Sequence, residues 1–324
     1  MLSVAVLYGG RSGEHEISIR SAESIIAGLD PSKYEVKRVF ITMEGRWQPG
    51  PILPEPGANR GIDVVFPVLH GTFGEDGTVQ GLCELAGLPY VGTGVFASAA
   101  CMDKDFQKRL MRERGIPVVD FLTVGRGHFQ IDEICKRLPF PIFVKPANLG
   151  SSVGISKAKC RGELETALKL AAEFDRKIIV ERGVNGREFE CAVLGNENPQ
   201  AAIPCEVLPS REFYDYEDKY ILNTSKTLLP APLSPDQTEE LRRMAEEAYS
   251  AMGCEGLSRV DFLMEGSTGE LFVNEINTMP GFTSISMYPK MWQASGLEFS
   301  PLLDRLIELA MERHQAQKAT RYAK

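Results

Sequence analysis

The segment 257–281, LSRVDFLMEGSTGELFVNEINTMPG, holds the residues best suited to chemistry. Arg259, Asp261, Glu275 and Asn277 fall at odd positions, whereas Val260, Phe262, Met264, Phe272 and Ile276 are even. Gly266-Ser267-Thr268-Gly269 between the two runs reads as a turn, so the segment is expected to be a β-hairpin with one apolar face. Placing Asp261 opposite Glu275 puts Arg259 opposite Asn277. Two opposed carboxylates repel by about a few tenths of a kcal/mol or more. A hard divalent cation between them removes that cost, and carboxylate oxygens with an amide oxygen suit Mg²⁺. An ordinary solvent-facing strand would scatter its polar residues. Here Leu263, Leu271 and Val273 near the turn are apolar, and the polar group gathers at the far end.

A second group is Lys145-Pro146 followed by Gly150-Ser151-Ser152-Val153-Gly154. A strand ending in lysine and running into a small-residue loop can lay an ammonium and backbone N–H groups against phosphate oxygens. The spacing is neither a Walker A motif nor G-x-G-x-x-G, and the loop joins two strands. Alone it reads equally as a hairpin tip. Beside a magnesium site it points to a nucleoside triphosphate.

The third is Gly9-Gly10-Arg11-Ser12-Gly13-Glu14, a strand-to-helix turn. Ser12 as a helix cap with Glu14 and Glu16 in the first turn accounts for it structurally. Alternatively, Glu14 attracts a cation such as a substrate ammonium. His70, at a strand end before Gly71, is either catalytic or a hydrogen-bonded structural histidine.

The elements that must carry these groups alternate. Strands are expected over Leu2–Tyr8, Tyr34–Thr42 and Ile62–Leu69, and helices over Glu14–Leu29 and Thr78–Leu88. That is the pattern of a parallel sheet flanked by helices. A second unit reads as a helix over Asp103–Arg114, strands over Pro117–Val124, Pro141–Lys145, Val153–Lys157 and Lys177–Glu181, and helices over Ile131–Leu138 and Gly162–Phe174. Arg182 to Gly186 has the composition of a hinge. Beyond it come strands near 188–195 and 200–208, helices near 235–252 and 300–314, and a polar tail from Gln315 that reads as disordered. Ser210 to Thr227 is aromatic, polar and aperiodic, as in a functional loop or lid.

Composition narrows the classes. The chain has 324 residues, 43% apolar and 25% charged, enough for two or three domains with sizeable cores. Its formal charge of −8 without a basic block argues against a nucleic-acid binder. Seven scattered cysteines, an odd number without C-x-x-C, suit reduced thiols in the cytoplasm. The N-terminus does not read as a signal peptide, and no run approaches the ~18 apolar residues of a membrane span.

Six segments, LYGGRSGEHEIS, FPVLHGTFGEDGTVQG, FVKPANLGSSVGISK, REFYDYEDKY, SRVDF and NEINTMPGFTSISMYP, occur in an order and spacing that resemble the D-alanine–D-alanine ligase family of the ATP-grasp superfamily. The resemblance runs through nearly the whole chain. It implies an α/β fold, α+β in part, of three-domain ATP-grasp architecture. An N-terminal Rossmann-like parallel-sheet domain (1–102) binds substrate, followed by a central subdomain (103–184) and a C-terminal catalytic domain (185–324). It implies that ATP and two Mg²⁺ ions, with Mn²⁺ able to substitute, serve the joining of two D-alanine molecules through an acyl phosphate for peptidoglycan precursors, in a cytoplasmic homodimer.

By the same resemblance, Lys104, Lys145, Ser151 and Ser152 hold ATP phosphates, and Glu181, Arg182, Val184 and Glu188 its adenosine. Asp261, Glu275 and Asn277 are metal ligands. Glu14, bonded to Ser151 and Tyr220, takes the first D-alanine's ammonium, with His70 and Lys219 close by. Arg259 and the Gly281 N–H stabilise the oxyanion, and Ser286 with the Met287 N–H takes the second carboxylate. Tyr220 follows the type that prefers D-alanine over D-lactate as acceptor. Two other readings are a ligase for a different acid and amine, and a non-catalytic nucleotide module or Rossmann-like dehydrogenase. The intact acidic hairpin and the GGRSG spacing speak against the last two.

Overall fold

The computed structural model describes residues 1–208 and 226–321, and three separate sheets organise them. The first contains β1 (Leu2–Gly9), β2 (Tyr34–Ile41), β3 (Trp47–Gln48) and β4 (Val64–Val68) in the order β3-β2-β1-β4, with α1 (His15–Gly28), α2 (Thr78–Ala86) and α3 (Val95–Met102) around it. β1 runs parallel to both β2 and β4, and only β3 is antiparallel. Val4 to Leu7 and Val64 to Phe66 are fully enclosed, as in a sheet covered on both faces. Gly9, at φ +91, turns the chain where a Cβ would stand 2.3 Å from the Ile41 carbonyl, so only glycine lets β1 hand over to the loop before α1.

The second sheet is antiparallel. It begins after α4 (Lys104–Glu113) with β5 (Phe121–Gly125), α5 (Ile131–Arg137), β6 (Ile142–Pro146), β7 (Ser156–Ala158), α6 (Arg161–Phe174) and β8 (Lys177–Arg182), in the order β5-β8-β6-β7. The third takes β9 (Gly186–Gly195), β10 (Gln200–Ala201), β11 (Cys205–Leu208), β12 (Lys226–Leu228), α7 (Pro235–Ala251), β13 (Gly256–Glu265) and β14 (Leu271–Asn277), then α8 (Met287–Ala294) and α9 (Phe299–Lys318). Its order is β12-β11-β9-β13-β14, with β10 on β9.

The cores cross between sheets. Leu302, Leu306 and Tyr288 pack with Val4, Ile25 and Phe66, so α8 and α9 weld the last part of the chain to the first sheet. Cys101 and Met111 pack with Val260 and Tyr249 of the third. The cleft between sheets is therefore walled by elements anchored in common apolar cores, which fixes the spacing of its polar groups.

Several expectations need correction. The expected strand over 153–157 begins only at Ser156, and the single strand near 200–208 is two short ones. α3 and α8 went unread, the latter because Pro289 in its first turn disguises it. The polar run from Gln315 continues α9 as far as Lys318, against the disorder expected over those residues. The expected lid lies outside the described residues, apart from Lys226 and Thr227 in β12.

The hairpin register holds where it matters and slips beyond. Arg259 pairs with Asn277 and Asp261 with Glu275, but a bulge then pairs Phe262 with Val273. Val273 and Leu271 thereby join the core face with Phe262 and Met264, contrary to the odd–even assignment. The extra residue is Asn274. A bulge turns two successive side chains to one side, and both Asn274 and Glu275 line the cleft.

Candidate functional site

Two cavities, of about 970 and about 860 Å³, open between the sheets. They share Gly150, Ser151, Glu190 and Glu275 as a common wall, so they form one continuous cleft with two chambers.

The first chamber lies between the second and third sheets. Lys145 at the end of β6 extends its ammonium to within 2.7 Å of Glu181 on β8, its hydrogen-bonded neighbour strand. Lys108, one helical turn beyond Lys104 on α4, reaches the other oxygen of Glu181 at 3.1 Å. Burial opposes the charge of Glu181, yet the two ammonium groups outweigh it and hold the carboxyl down at about 2. Burial likewise opposes the charge on both lysines. Lys108, wholly enclosed and repelled by Lys145, ends below its ordinary value, while Lys145 ends above it through Glu181. Lys104 donates to the Leu149 carbonyl at 2.8 Å and lies 3.3 Å from Glu275, tying the glycine–serine loop to the acidic hairpin. Ser151 and Ser152 stand at φ +52 and +59, a left-handed pair that non-glycine residues adopt at a cost. Arg182, Val184 and Glu188 complete the wall opposite this loop.

Across β9, β13 and β14, Glu190, Asp261 and Glu275 stand in one row. Arg259 grips Asp261 bidentately at 2.6 and 2.7 Å and lies 3.5 Å from Glu190, and Asn277 donates to Asp261 at 2.9 Å. Among the described residues, no three His, Cys, Asp or Glu side chains converge as a self-sufficient metal cage. Mg²⁺ does not need one, because it takes one or two carboxylates and completes its shell with water and substrate phosphate. The opposed Asp261 and Glu275, with the Asn277 amide alongside, fit that habit.

The second chamber adjoins the first sheet. Glu14 is the N-terminal flanking residue of α1, but its side chain does not cap the helix. It accepts a hydrogen bond from Ser151. Ser12 does not cap α1 as expected. Its hydroxyl accepts from the Glu14 N–H at 3.2 Å and donates to the His70 carbonyl at 2.7 Å, closing the turn instead. His70 is buried, with Nδ1 3.0 Å from the Met279 carbonyl and Nε2 3.1 Å from Ser21 Oγ. A carbonyl only accepts, so Nδ1 carries the proton. Burial holds this imidazole below its ordinary value and hence neutral. Opposite stand Gly281, Ser286 and the start of α8 at Met287. An unpaired N–H at a helix start favours a carboxylate.

Every sequence-selected residue that is described lines this cleft; Lys219 and Tyr220 lie outside the described residues. Lys108, Asn274, Glu190 and Glu75 escaped the sequence reading. Lys108 was legible as i+4 from Lys104, and Glu190 as the same-face neighbour of Glu188. Nothing local marked Glu75 or Asn274.

Family models described as "D-ala D-ala ligase N-terminus" and "D-ala D-ala ligase C-terminus" match residues 3–60 with 53–93, and 110–308. A protein of Solibacter usitatus named D-alanine--D-alanine ligase is 64% identical over 323 residues, covering 100% of this chain and 99% of that protein. The solved D-alanine-D-alanine ligase of Coxiella burnetii is 41% identical with a TM-score of 0.88, covering 98% of this chain and 96% of its own. VanG D-Ala:D-Ser ligase of Enterococcus faecalis also superposes with a TM-score of 0.88, at 38% identity over 95% of this chain and 99% of that one.

Proposed function

The chain belongs to the D-alanine–D-alanine ligase family, with its three-domain ATP-grasp architecture, and from that premise we propose how its cleft works. The enzyme joins two D-alanine molecules at the expense of ATP, releasing ADP and phosphate, to supply the dipeptide for peptidoglycan synthesis. The assignment of steps to residues is our reading, and the shared wall of the two chambers carries it. A phosphate end and an amino-acid end must meet there.

ATP lies in the first chamber, with its phosphates against Lys104, Lys145, Ser151 and Ser152 and its adenosine along Glu181, Arg182, Val184 and Glu188. Asp261, Glu275 and Asn277 hold two Mg²⁺ ions, or Mn²⁺, which supply charge neutralisation at the transferring phosphoryl group. Glu14 takes the ammonium of the first D-alanine, oriented by Ser151 and Tyr220, with Lys219 beside it. The carboxylate oxygen of that substrate attacks the γ-phosphorus, the bond to ADP breaks, and D-alanyl phosphate forms.

Ser286 and the Met287 N–H hold the second carboxylate. Its amine attacks the acyl carbon, loses a proton and expels phosphate. Arg259 and the Gly281 N–H stabilise the tetrahedral oxyanion, and Asp261 fixes the plane of the guanidinium that does so. His70, neutral and bonded on both nitrogens, serves as a positioning group rather than an acid.

We place the domains at 1–102, 103–184 and 185–324, although α9 packs back on the first sheet. Among the described residues no helix is long and apolar enough to cross a membrane, and the seven cysteines are unpaired, which supports a cytoplasmic setting. Leu85 and Phe96, on helices that pack together, are 65% and 66% exposed, which supports a homodimer; light scattering at the monomer mass would reject it.

The deciding experiment is D-alanine-dependent ADP release with Mg²⁺, the product identified by mass. Offered D-alanine, D-serine and D-lactate together at neutral pH, the enzyme should use D-alanine as acceptor. Dominant D-serine incorporation would favour the reading that its likeness to VanG suggests.

A further inference from the structure

The backbone around Gly281 is held from the N-terminal part of the chain. Glu75, in the loop between β4 and α2, accepts the Gly71 N–H at 2.7 Å with one carboxyl oxygen and the Met279 N–H at 3.1 Å with the other. Ser21, on α1 and fully enclosed, accepts the Phe282 N–H at 3.1 Å and lies 3.1 Å from His70 Nε2. His70 Nδ1 in turn meets the Met279 carbonyl at 3.0 Å. Residues on both sides of Gly281, 279 and 282, are thus fastened to the N-terminal part of the chain.

Gly281 also packs closely on the second-substrate side of the chamber: a Cβ there would stand 2.7 Å from Ser286 Oγ.

We infer that Glu75 and Ser21 are positioning residues for the second half-reaction, gripping the loop on either side of Gly281 so that its N–H points at the developing oxyanion. The inference rests on the oxyanion role given to Gly281 above. The side-chain chemistry is specific. A carboxyl, ionised or protonated, keeps lone pairs for accepting on both oxygens, whereas the isosteric amide of Gln accepts at one and presents N–H at the other. Glu75→Gln therefore breaks one of the two bonds while keeping volume. Ser21→Ala removes the acceptor of the Phe282 N–H.

If the donor is misaligned, the first half-reaction proceeds and the second slows. D-alanyl phosphate then meets water, which attacks its acyl carbon and returns D-alanine and phosphate without dipeptide. Loss of one oxyanion donor costs about 10²–10³ in rate, and a misdirected donor should forfeit about tenfold to a hundredfold.

The test measures ADP released per dipeptide formed, with hydroxylamine trapping the acyl phosphate as the hydroxamate. The parent should give a ratio near one. Glu75→Gln and Ser21→Ala should raise it several-fold, with kcat for dipeptide reduced and KM for ATP unchanged. A merely structural role would lower all activities in step and leave the ratio at one, which overturns the inference. A parent that forms no dipeptide overturns instead the reading beneath it. Should a variant fail to fold, amide exchange in the unmodified enzyme decides: slow exchange at Met279 and Phe282 supports the clasp, and fast exchange at both rejects it.

Discussion

Lys108 Nζ lies 3.1 Å from Glu181 Oε1, and the two side chains are only 1% and 2% exposed. Glu181 lines the first chamber, and Lys108 backs it from beneath the surface. The same ammonium donates to the Asn274 carbonyl at 3.2 Å, so one lysine braces both Glu181 and the bulge beside Glu275. Breaking a buried pair by removing one partner typically costs about 3–5 kcal/mol, because the remaining charge stays enclosed. Lys145 stays 2.7 Å from Glu181, so Lys108→Met should lose part of that stability in denaturant titration. It should also raise KM for ATP more than KM for D-alanine, since Lys145 alone must then neutralise Glu181. Equal stability of variant and parent would contradict the role given to the pair.

Glu275 is opposed to Asp261 across the ladder and lies 3.3 Å from Lys104. Replacing it with Gln removes the anionic carboxylate that the proposed Mg²⁺ site draws on, while keeping its volume. Even outer-shell partners of a metal site are worth about 10–100-fold in affinity. In Glu275→Gln the Mg²⁺ concentration for half-maximal activity should rise by at least about tenfold, and excess Mg²⁺ should recover part of the rate. A magnesium titration superimposable on the parent's would remove Glu275 from the ligand set.

Glu75 carries a pH signature. Burial and repulsion by Glu14 raise its carboxyl from the ordinary 4.5 to about 8, despite the two backbone N–H donors. A folded-state pKa above the unfolded one means that the native protein holds its proton longer. Stability from this group is thus full below about 4.5 and declines as pH climbs to about 8. Gln cannot titrate. The melting temperature of Glu75→Gln relative to the parent should shift in the variant's favour between those pH values. A difference that is flat with pH would mean that Glu75 is ionised throughout.

How far the sequence disclosed this cleft depended on the range of the interaction. Alternation put Arg259, Asp261, Glu275 and Asn277 on one face, because a period of two is local, and the pairing register chosen across the turn is the one found for these four. It failed at Val273 because Leu271-Phe272-Val273 is apolar without a break and fits either parity, so nothing marked the inserted Asn274. Glu14 could be read as a cap or a ligand until the fold brought Ser151 to it from 137 residues away. The grip of Ser21 on Phe282 spans 261 positions and has no local pattern. The resemblance supplied roles for residues of the cleft but not these braces, which follow from how α1, α8 and α9 pack together.

Arg259 offers the sharpest test of the two-step chemistry. Asp261 takes one N–H from its Nε and one from its Nη2, so the guanidinium is held flat on the strand rather than swinging in the cleft. A donor fixed before substrate arrives stabilises the oxyanion without reorganising, and its removal should cost ~10²–10³ in kcat for dipeptide. On the proposed reading ATP rests on the lysines and the glycine–serine loop, whereas Arg259 lines the second chamber. Arg259→Ala should accordingly bind ATP within a few-fold of the parent in calorimetry while making almost no dipeptide. Arg259→Lys restores the charge but not the planar pair of N–H groups and should recover little. Near-normal turnover in Arg259→Ala would transfer the oxyanion role elsewhere, and loss of ATP binding would mean that the arginine serves the nucleotide instead.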